Sequence, residues 1–416
     1  MTTSTSRHHP ELLAPAGDMT CLQAALDAGA DAVYLGLESF NLRRMATRNF
    51  TLATLPEASR RCRERGVHLY LTLNCIVYEG ELAALADLVA AVQPHIDAAI
   101  VSDWSAIDLC RQHGVPFHVS TQMSVSNSMA ARHLLEAGAR RIVLARECTL
   151  AEVRAIRATV PVALEAFVHG AMCVSVSGRC LLSHEAYGLS CNRGECTQPC
   201  RREYRIQAVD DEQAAFVVGR DYVLSPRDLC SLPFLDELVA AGIDACKIEG
   251  RSRSPEYVHT VVGAYREALD ALRDGRFDAC KAALVTRCRG VFNREFSVGH
   301  YFGRPTPGDF TNGEGNRAAK LKNYVGLVRN YYKQAGIVDI EVVDSSFRVG
   351  DTLLILGETT GVVTCRVPEI RREQEQLQEA PRGRFTVPLA TRVRIGDKVY
   401  RQLPNPDAAD STAKAL

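Results

Sequence analysis

Between Leu12 and Glu249 the chain repeats one short pattern: a β-branched or aliphatic run, a Gly/Ala-rich turn, then a stretch with apolar residues at helical spacing, the signature of successive βα units. The runs are Leu12–Ala16, Ala32–Leu37, His68–Asn74, Ala98–Ser102, Phe117–Thr121, Arg141–Ala145, Val162–Val168 and Ala245–Glu249. Amphipathic segments such as Leu22–Ala28, Leu82–Val92, Ser128–Ala137 and Leu150–Thr159 lie between them. AGADAV (28–33), AGARRIV (137–143) and AGIDACKI (241–248) repeat the same step from helix end through Gly to strand start. Eight strands suit a closed parallel barrel better than a doubly wound sheet, so the expected fold class is α/β, a (β/α)8 TIM-like barrel. Chemistry in such barrels sits where strands end, which singles out Glu38, Asn74, Asp103, Gln122, Arg146, Glu147, His169, Lys247, Glu249 and Arg251.

The regular alternation breaks once, in a long cysteine-rich insertion at 171–231, between strands 7 and 8; loops of such length inside a compact domain tend to carry function. The expected division is a disordered N-terminus at 1–10, a barrel at 11–290, a linker at 291–319, a small C-terminal β-barrel domain at 320–403 and a disordered tail at 404–416. In the β domain, FRVGDTLLI and VRIGDKVYR place Gly350-Asp351 and Gly396-Asp397 at turns that enter strands.

The first residues, MTTSTSRHHP, lack the apolar run of a signal peptide, and the longest apolar stretch, near Leu85, is interrupted by Asp87, Gln93, Pro94, His95 and Asp97. No membrane contact is expected, and a cytoplasmic location is. Formal net charge is zero, so no global field draws the protein to nucleic acid, and any such partner meets a local patch.

Fifteen cysteines in a chain without an export signal read as reduced thiols, and clustered ones read first as metal ligands. Cys21, Cys62, Cys75, Cys110, Cys148, Cys246, Cys280, Cys288 and Cys365 stand singly, as small core residues do. Cys173 and Cys180 follow the seventh strand and Cys196 and Cys200 follow a Gly-containing turn, so chain reversal between the pairs brings four thiolates together. Cys191 and Cys230 are spare in this scheme. Zinc favours two close pairs, and only Cys196–Cys200 is close; an iron–sulfur site tolerates the wider Cys173–Cys180 spacing better. A purely structural cluster that pins the insertion is the alternative to a working cofactor.

His169 stands where the seventh strand delivers a side chain to the rim, so it is a candidate catalytic residue. In CKIEGRSRSPEYV, alternation sends Lys247, Glu249 and Arg251 to one side, which suits either mutual salt bridges or an anion site. Lys247 and Glu249 are accordingly catalytic candidates. The FNLRR loop adds Arg43 and Arg44; several arginines at one mouth suit a dicarboxylate or a phosphate.

The strings LLAPAG (12–17), GADAVYLG (29–36), STQMSVSN (120–127), VLARE (143–147), FVHGAMC (167–173), SGRCLLS (177–183), NRGEC with CR at 200–201, and KIEGR (247–251) closely resemble the bacterial collagenase-like peptidase family. Cys196, Cys200 and a C-terminal domain that begins NYVGLV look like its branch of tRNA 5-hydroxyuridine synthesis proteins. The resemblance spans roughly Glu11 to Tyr400. It implies a [4Fe–4S] cluster on Cys173, Cys180, Cys196 and Cys200, and hydroxylation without molecular oxygen at the tRNA wobble position. Prephenate is the implied hydroxyl donor. The substrate-binding candidates are Arg43 of the FNLRR loop and, within these motifs, Gln122, Asn127, Arg146, Glu147 and Arg251. A paralogous family member is a possible partner.

Two other functions compete. The family name suggests a peptidase, yet the chain has no HExxH and no GxSxG. Oxygen-independent hydroxylation of a ubiquinone precursor belongs to family members that lack the appended β domain. For RNA contact the candidates are Arg201, Arg202 and Arg205 beside the cysteines, and Arg371, Arg372, Arg382, Arg384, Arg392 and Arg394 in the β domain.

Overall fold

The structure is a computed structural model that describes residues 9–45, 49–176, 179–202, 204–211, 215–218, 224–311 and 315–408. Residues 1–8 and 409–416 of the expected disordered ends, and Ser177 and Gly178 of the SGRCLLS motif, lie outside the described residues.

Seven strands run parallel in sequence order: β1 (Glu11–Pro15), β2 (Ala32–Leu35), β3 (His68–Leu73), β4 (Ala98–Val101), β5 (Phe117–Val119), β6 (Arg141–Val143) and β7 (Ala163–Gly170). In the insertion, β8 (Tyr204–Gln207) and β9 (Ala215–Val218) form a hairpin, and β10 (Asp228–Cys230) returns antiparallel to β7. The eighth barrel strand, β11 (Ala245–Ile248), pairs in parallel with both β7 and β1 and closes the ring. Helices α1 (Met19–Asp27), α2 (Leu55–Glu64), α3 (Leu82–Val92), α4 (Trp104–Gln112), α5 (Ser128–Glu136) and α6 (Leu150–Thr159) connect the first seven strands.

The sequence dictates these ends locally. The Asp18 carboxylate caps α1 by accepting from the Cys21 amide at 2.8 Å, Asp103 accepts from the Ser105 amide at the start of α4, and Thr149 with Glu152 forms a capping box on α6. The strands are buried on both faces, so they read as continuous apolar runs rather than as alternation. Leu12, Leu35, Leu71, Ile142, Leu164 and Ile248 belong to one core shared with the helices.

Helix α7 (Leu182–Tyr187) lies in the insertion. Helices α8 (Leu235–Ala240), α9 (Pro255–Arg273) and α10 (Phe277–Arg289) complete the outer layer, and a short β12 (Phe296–Ser297) pairs with β10.

Beyond them is an antiparallel sheet built from β13 (Lys320–Tyr332), β14 (Ile337–Val342), β16 (Thr352–Gly357), β17 (Gly361–Arg366), β18 (Ile370–Arg372), β19 (Glu375–Leu377), β21 (Gly383–Pro388) and β22 (Lys398–Pro404). The two short strands β15 (Phe347–Arg348) and β20 (Glu379–Ala380) pair with each other. This domain has its own core, with Val328, Ile340, Phe347, Ile355, Phe385 and Val399 all buried.

Candidate functional site

A cavity of about 120 Å³ opens at the ends of the barrel strands, under the insertion. Cys173, Cys180, Cys191, Cys196 and Cys200 all line it. Cys173 leaves β7 and is exposed, Cys180 precedes α7, Cys191 and Cys200 sit in two single turns at Cys191–Arg193 and Pro199–Arg201, and Cys196 lies between those turns. Burial pushes the Cys200 thiol up, Arg201 draws it down, and Cys173, Cys196 and Cys180 push it up again, so those three sulfurs lie within electrostatic reach of Cys200. Cys191, the spare in the four-ligand scheme, is buried and its thiol is raised by that burial and by Cys196 beside it. Thiolates are soft donors suited to iron–sulfur or zinc. Among the described residues no three His, Cys, Asp or Glu side chains close on a single point as ligands of one metal ion.

The same cavity is lined by the cations of Arg43, Arg146, Lys247 and Arg251. Arg43 Nη2 lies 3.3 Å from Glu249 Oε1. Burial pushes the Glu249 carboxyl up, but Arg43, Arg253 and Arg146 outweigh it and hold the group below its ordinary range. Arg251 donates to Asn41 Oδ1 at 3.1 Å and Thr72 Oγ1 at 2.8 Å, and its burial pushes its pKa down to about 10. Arg146 lies 4.2 Å over the Phe167 ring and donates through Nη1 to the Ala171 carbonyl, while its buried Nε has no partner. Arg146 therefore keeps donor capacity for a bound anion. Gln122 lines the same cavity and accepts from Asn74 Nδ2 at 3.3 Å.

Lys247 lines the cavity from below and donates to Glu165 Oε1 at 2.7 Å. The carboxylate of Glu165 is fully buried and also meets Arg141 at 3.2 Å. Sequence reasoning passed over Glu165, although a glutamate inside VALEAFVHG is the one charge in an otherwise apolar strand, and such a charge requires a buried partner.

Three sequence candidates stand elsewhere. His169 points away from the cavity into the helix layer, with Tyr265 and Phe296 ring centroids at 5.5 and 5.2 Å and Tyr257 at 6.1 Å. The register between β7 and β11 shifts after Phe167, so His169 pairs with Ile248 and takes the outward face rather than the inward face of Lys247. Asn127 is the N-cap of α5 and accepts from the Ala130 amide at 3.0 Å. Glu147 is exposed outside the cavity wall.

The arginines read as RNA contacts are partly engaged. Arg201 donates to the Met172 and Pro226 carbonyls and to Ser225 Oγ, bracketing the insertion from inside. Arg371 and Arg384 pair with Glu369 and Asp339, and Arg382 donates to the Val343 carbonyl. The side chain of Arg205 lies outside the described residues.

The family model described as Peptidase family U32 matches residues 17–310. A protein named Collagenase from Porphyromonas gingivalis is 38% identical over 405 residues, covering 94% of this chain and 97% of its own. The tRNA hydroxylation protein P1 of Bacillus subtilis is 33% identical over 399 residues, with 94% and 93% covered. The tRNA hydroxylation protein P of Escherichia coli is 29% identical over 427 residues, with 91% and 93% covered.

Proposed function

The chain belongs to peptidase family U32, and from that premise we propose that it is an RNA hydroxylation enzyme that forms 5-hydroxyuridine at the wobble position of tRNA without molecular oxygen. A [4Fe–4S] cluster on Cys173, Cys180, Cys196 and Cys200 is the proposed cofactor, and prephenate the proposed hydroxyl donor. The observation that supports this most is the gathering of those cysteines in one cavity with Arg43, Arg146 and Arg251. The donor set suits the group: the cluster takes one thiolate at each of four irons, so its ligands need not converge on one point. The unpartnered buried Nε of Arg146, which lines the same cavity, adds a donor toward an anionic guest. When bound, the cluster supplies one-electron chemistry at the mouth.

The chain's own residues bind and orient. Arg146 and Arg43 face the carboxylates of a dicarboxylate donor, Glu249 fixes the Arg43 guanidinium, and the Lys247–Glu165 pair keeps a buried cation under the cavity. Family relatives named as tRNA hydroxylation proteins support RNA as the substrate. A paralogous family member is a proposed partner. No helix among the described residues is long and apolar enough to cross a membrane.

Anaerobic purification with iron, sulfide and visible-spectrum analysis of wild type and Cys173→Ala tests the cofactor, and nucleoside analysis of tRNA from a deletion strain tests the product. About four irons per chain are expected, lost in the variant, with 5-hydroxyuridine derivatives absent from the strain. Zinc in place of iron, with tRNA unchanged, reduces the cysteines to a structural clamp. The donor site is tested separately: prephenate affinity falls in Arg146→Ala and Arg43→Ala, and unchanged binding removes that residue from the pocket.

The relative named Collagenase favours a second reading, a peptidase. No histidine lines the cavity among the described residues, so a thiol there has no imidazole base. Peptide hydrolysis that persists in protein stripped of its cluster decides for the peptidase.

A further inference from the structure

Three of the five exposed large aromatic side chains among the described residues stand on three linked stretches of the barrel mouth. Tyr78 is 58% exposed, Trp104 56% and Tyr187 45%. Tyr78 follows β3 and Trp104 follows β4, and the two loops are tied together where the Val77 amide donates to Asp103 Oδ2 at 3.2 Å. Tyr187 ends α7, four residues before Cys191. The β3 loop is joined to the cysteine insertion through the Ile76 amide, which donates to the Asn192 carbonyl at 3.3 Å, and through Arg193, which donates to the Ile76 carbonyl.

Two of these rings carry a guanidinium. Arg193 lies 4.8 Å over Tyr78 and Arg202 lies 5.6 Å over Tyr187. Each ring is thus oriented by a cation yet left largely open to solvent, an arrangement that core packing does not require. Single planar groups interleaved with arginines suit flat, polar-edged guests such as unpaired bases, which stack on aromatic rings and guanidinium planes. A contiguous apolar protein interface would place such rings side by side in a desolvated patch.

We infer that Tyr78, Trp104 and Tyr187 form a stacking platform for unpaired RNA bases beside the cavity mouth. It rests on the RNA reading above and deepens it: a base must leave its stack to reach a cavity inside a barrel, and the platform holds the flanking bases while it does so. Charge sets the character of the contact. Arg193 is spent on Glu81, at 2.9 Å through Nη1, and Glu79 stands beside Tyr78, so this rim stacks bases rather than tracking phosphates. Binding at the platform is therefore only weakly sensitive to salt, falling less than about tenfold over a range in which six to ten phosphate contacts lose 10³–10⁵.

Trp104 is the single tryptophan of the chain, so its emission reports on the platform directly. The experiment titrates the anaerobically purified full chain with a short hairpin RNA that carries a uridine-containing single-stranded loop, and with a fully paired duplex of equal length. The expected result is saturable quenching of Trp104 by the hairpin and not by the duplex. Hairpin affinity, followed by gel shift, is expected to fall roughly tenfold in each of Tyr78→Ala, Tyr187→Ala and Trp104→Ala and to hold in Trp104→Phe. All three positions are exposed, and melting curves check that the variants stay folded. Hairpin binding with unchanged emission and unaltered affinity in the variants overturns the platform and leaves the RNA reading standing. A wild type that binds neither RNA overturns both. Trp104 emission that follows protein concentration without RNA assigns the rim to a second copy of the chain and overturns the platform.

Discussion

Lys247 and Glu165 show how a single charge inside a barrel is kept. Burial pushes the Glu165 carboxyl up, yet Lys247 and Arg141 outweigh it and hold the group ionised below its ordinary range. Removing Lys247 leaves the buried Glu165 with Arg141 alone, so Lys247→Met is expected to cost up to about 3–5 kcal/mol in urea unfolding, and adding Glu165→Gln to recover part of the loss. A single variant as stable as wild type removes the pair from the account of the cavity. The buried histidines set the acid limit. Burial, with Arg141 beside His118 and Arg253 beside His169, pushes both imidazoles down to about 3. In the unfolded chain each titrates near the usual value of about 6.5, so below that pH the unfolded state takes up protons that the folded state refuses. Stability is therefore expected to fall as pH drops from about 6.5 toward 3, by up to about 1.4 kcal/mol per pH unit for each histidine. Urea midpoints between about pH 7.5 and pH 5 check this, and His169→Phe should flatten the slope; an equal slope in the variant shows that His169 is not neutral in the fold.

At the scale of elements, two glycines decide how the insertion meets the barrel. Gly170 ends β7 with φ +109°, and a Cβ there would come within 2.7 Å of the Glu249 carbonyl oxygen, so Gly170→Ala is expected to lower thermal stability by about 1–3 kcal/mol. Gly194 has φ +89° in the loop between Cys191 and Cys196, and a Cβ would press into the Asn41 carbonyl on the β2 loop. Gly194→Ala is expected to lift that loop away: iron content drops while the far-ultraviolet circular dichroism of the barrel is retained. Full iron loading in the variant would show that the β2 loop does not position the thiols. Both glycines stand in motifs legible from the sequence, FVHGAMC and NRGEC. What the motifs did not disclose is that the β7 register shifts two residues before Gly170 and turns His169 outward. A bulge changes which side chains share a face without altering the apolar pattern that announces the strand.

For the whole molecule, the β domain is not a free appendage. Val362 of β17 packs against the barrel core, Lys322 pairs with Glu256 on α9, and Arg61 Nη1 donates to the Glu358 carbonyl at 2.6 Å. The two parts are therefore expected to unfold together in calorimetry, and Val362→Asp to split the transition into two. Two separate transitions in the wild type would show that this contact does not couple them.

The sequence by itself determined the eight strands, the barrel, the separate β domain and the cluster of cysteines, because each is written in local periodicity, in turn residues or in spacing. Only the tertiary structure decided which side chains share the cavity. It joined Cys191 to the other four thiols, set Lys247 on Glu165, and made Asn127 a helix cap. The reason is physical: periodicity fixes what a residue's own element needs, whereas cavity membership depends on register, barrel closure and the path of a long insertion, which join residues distant in the chain.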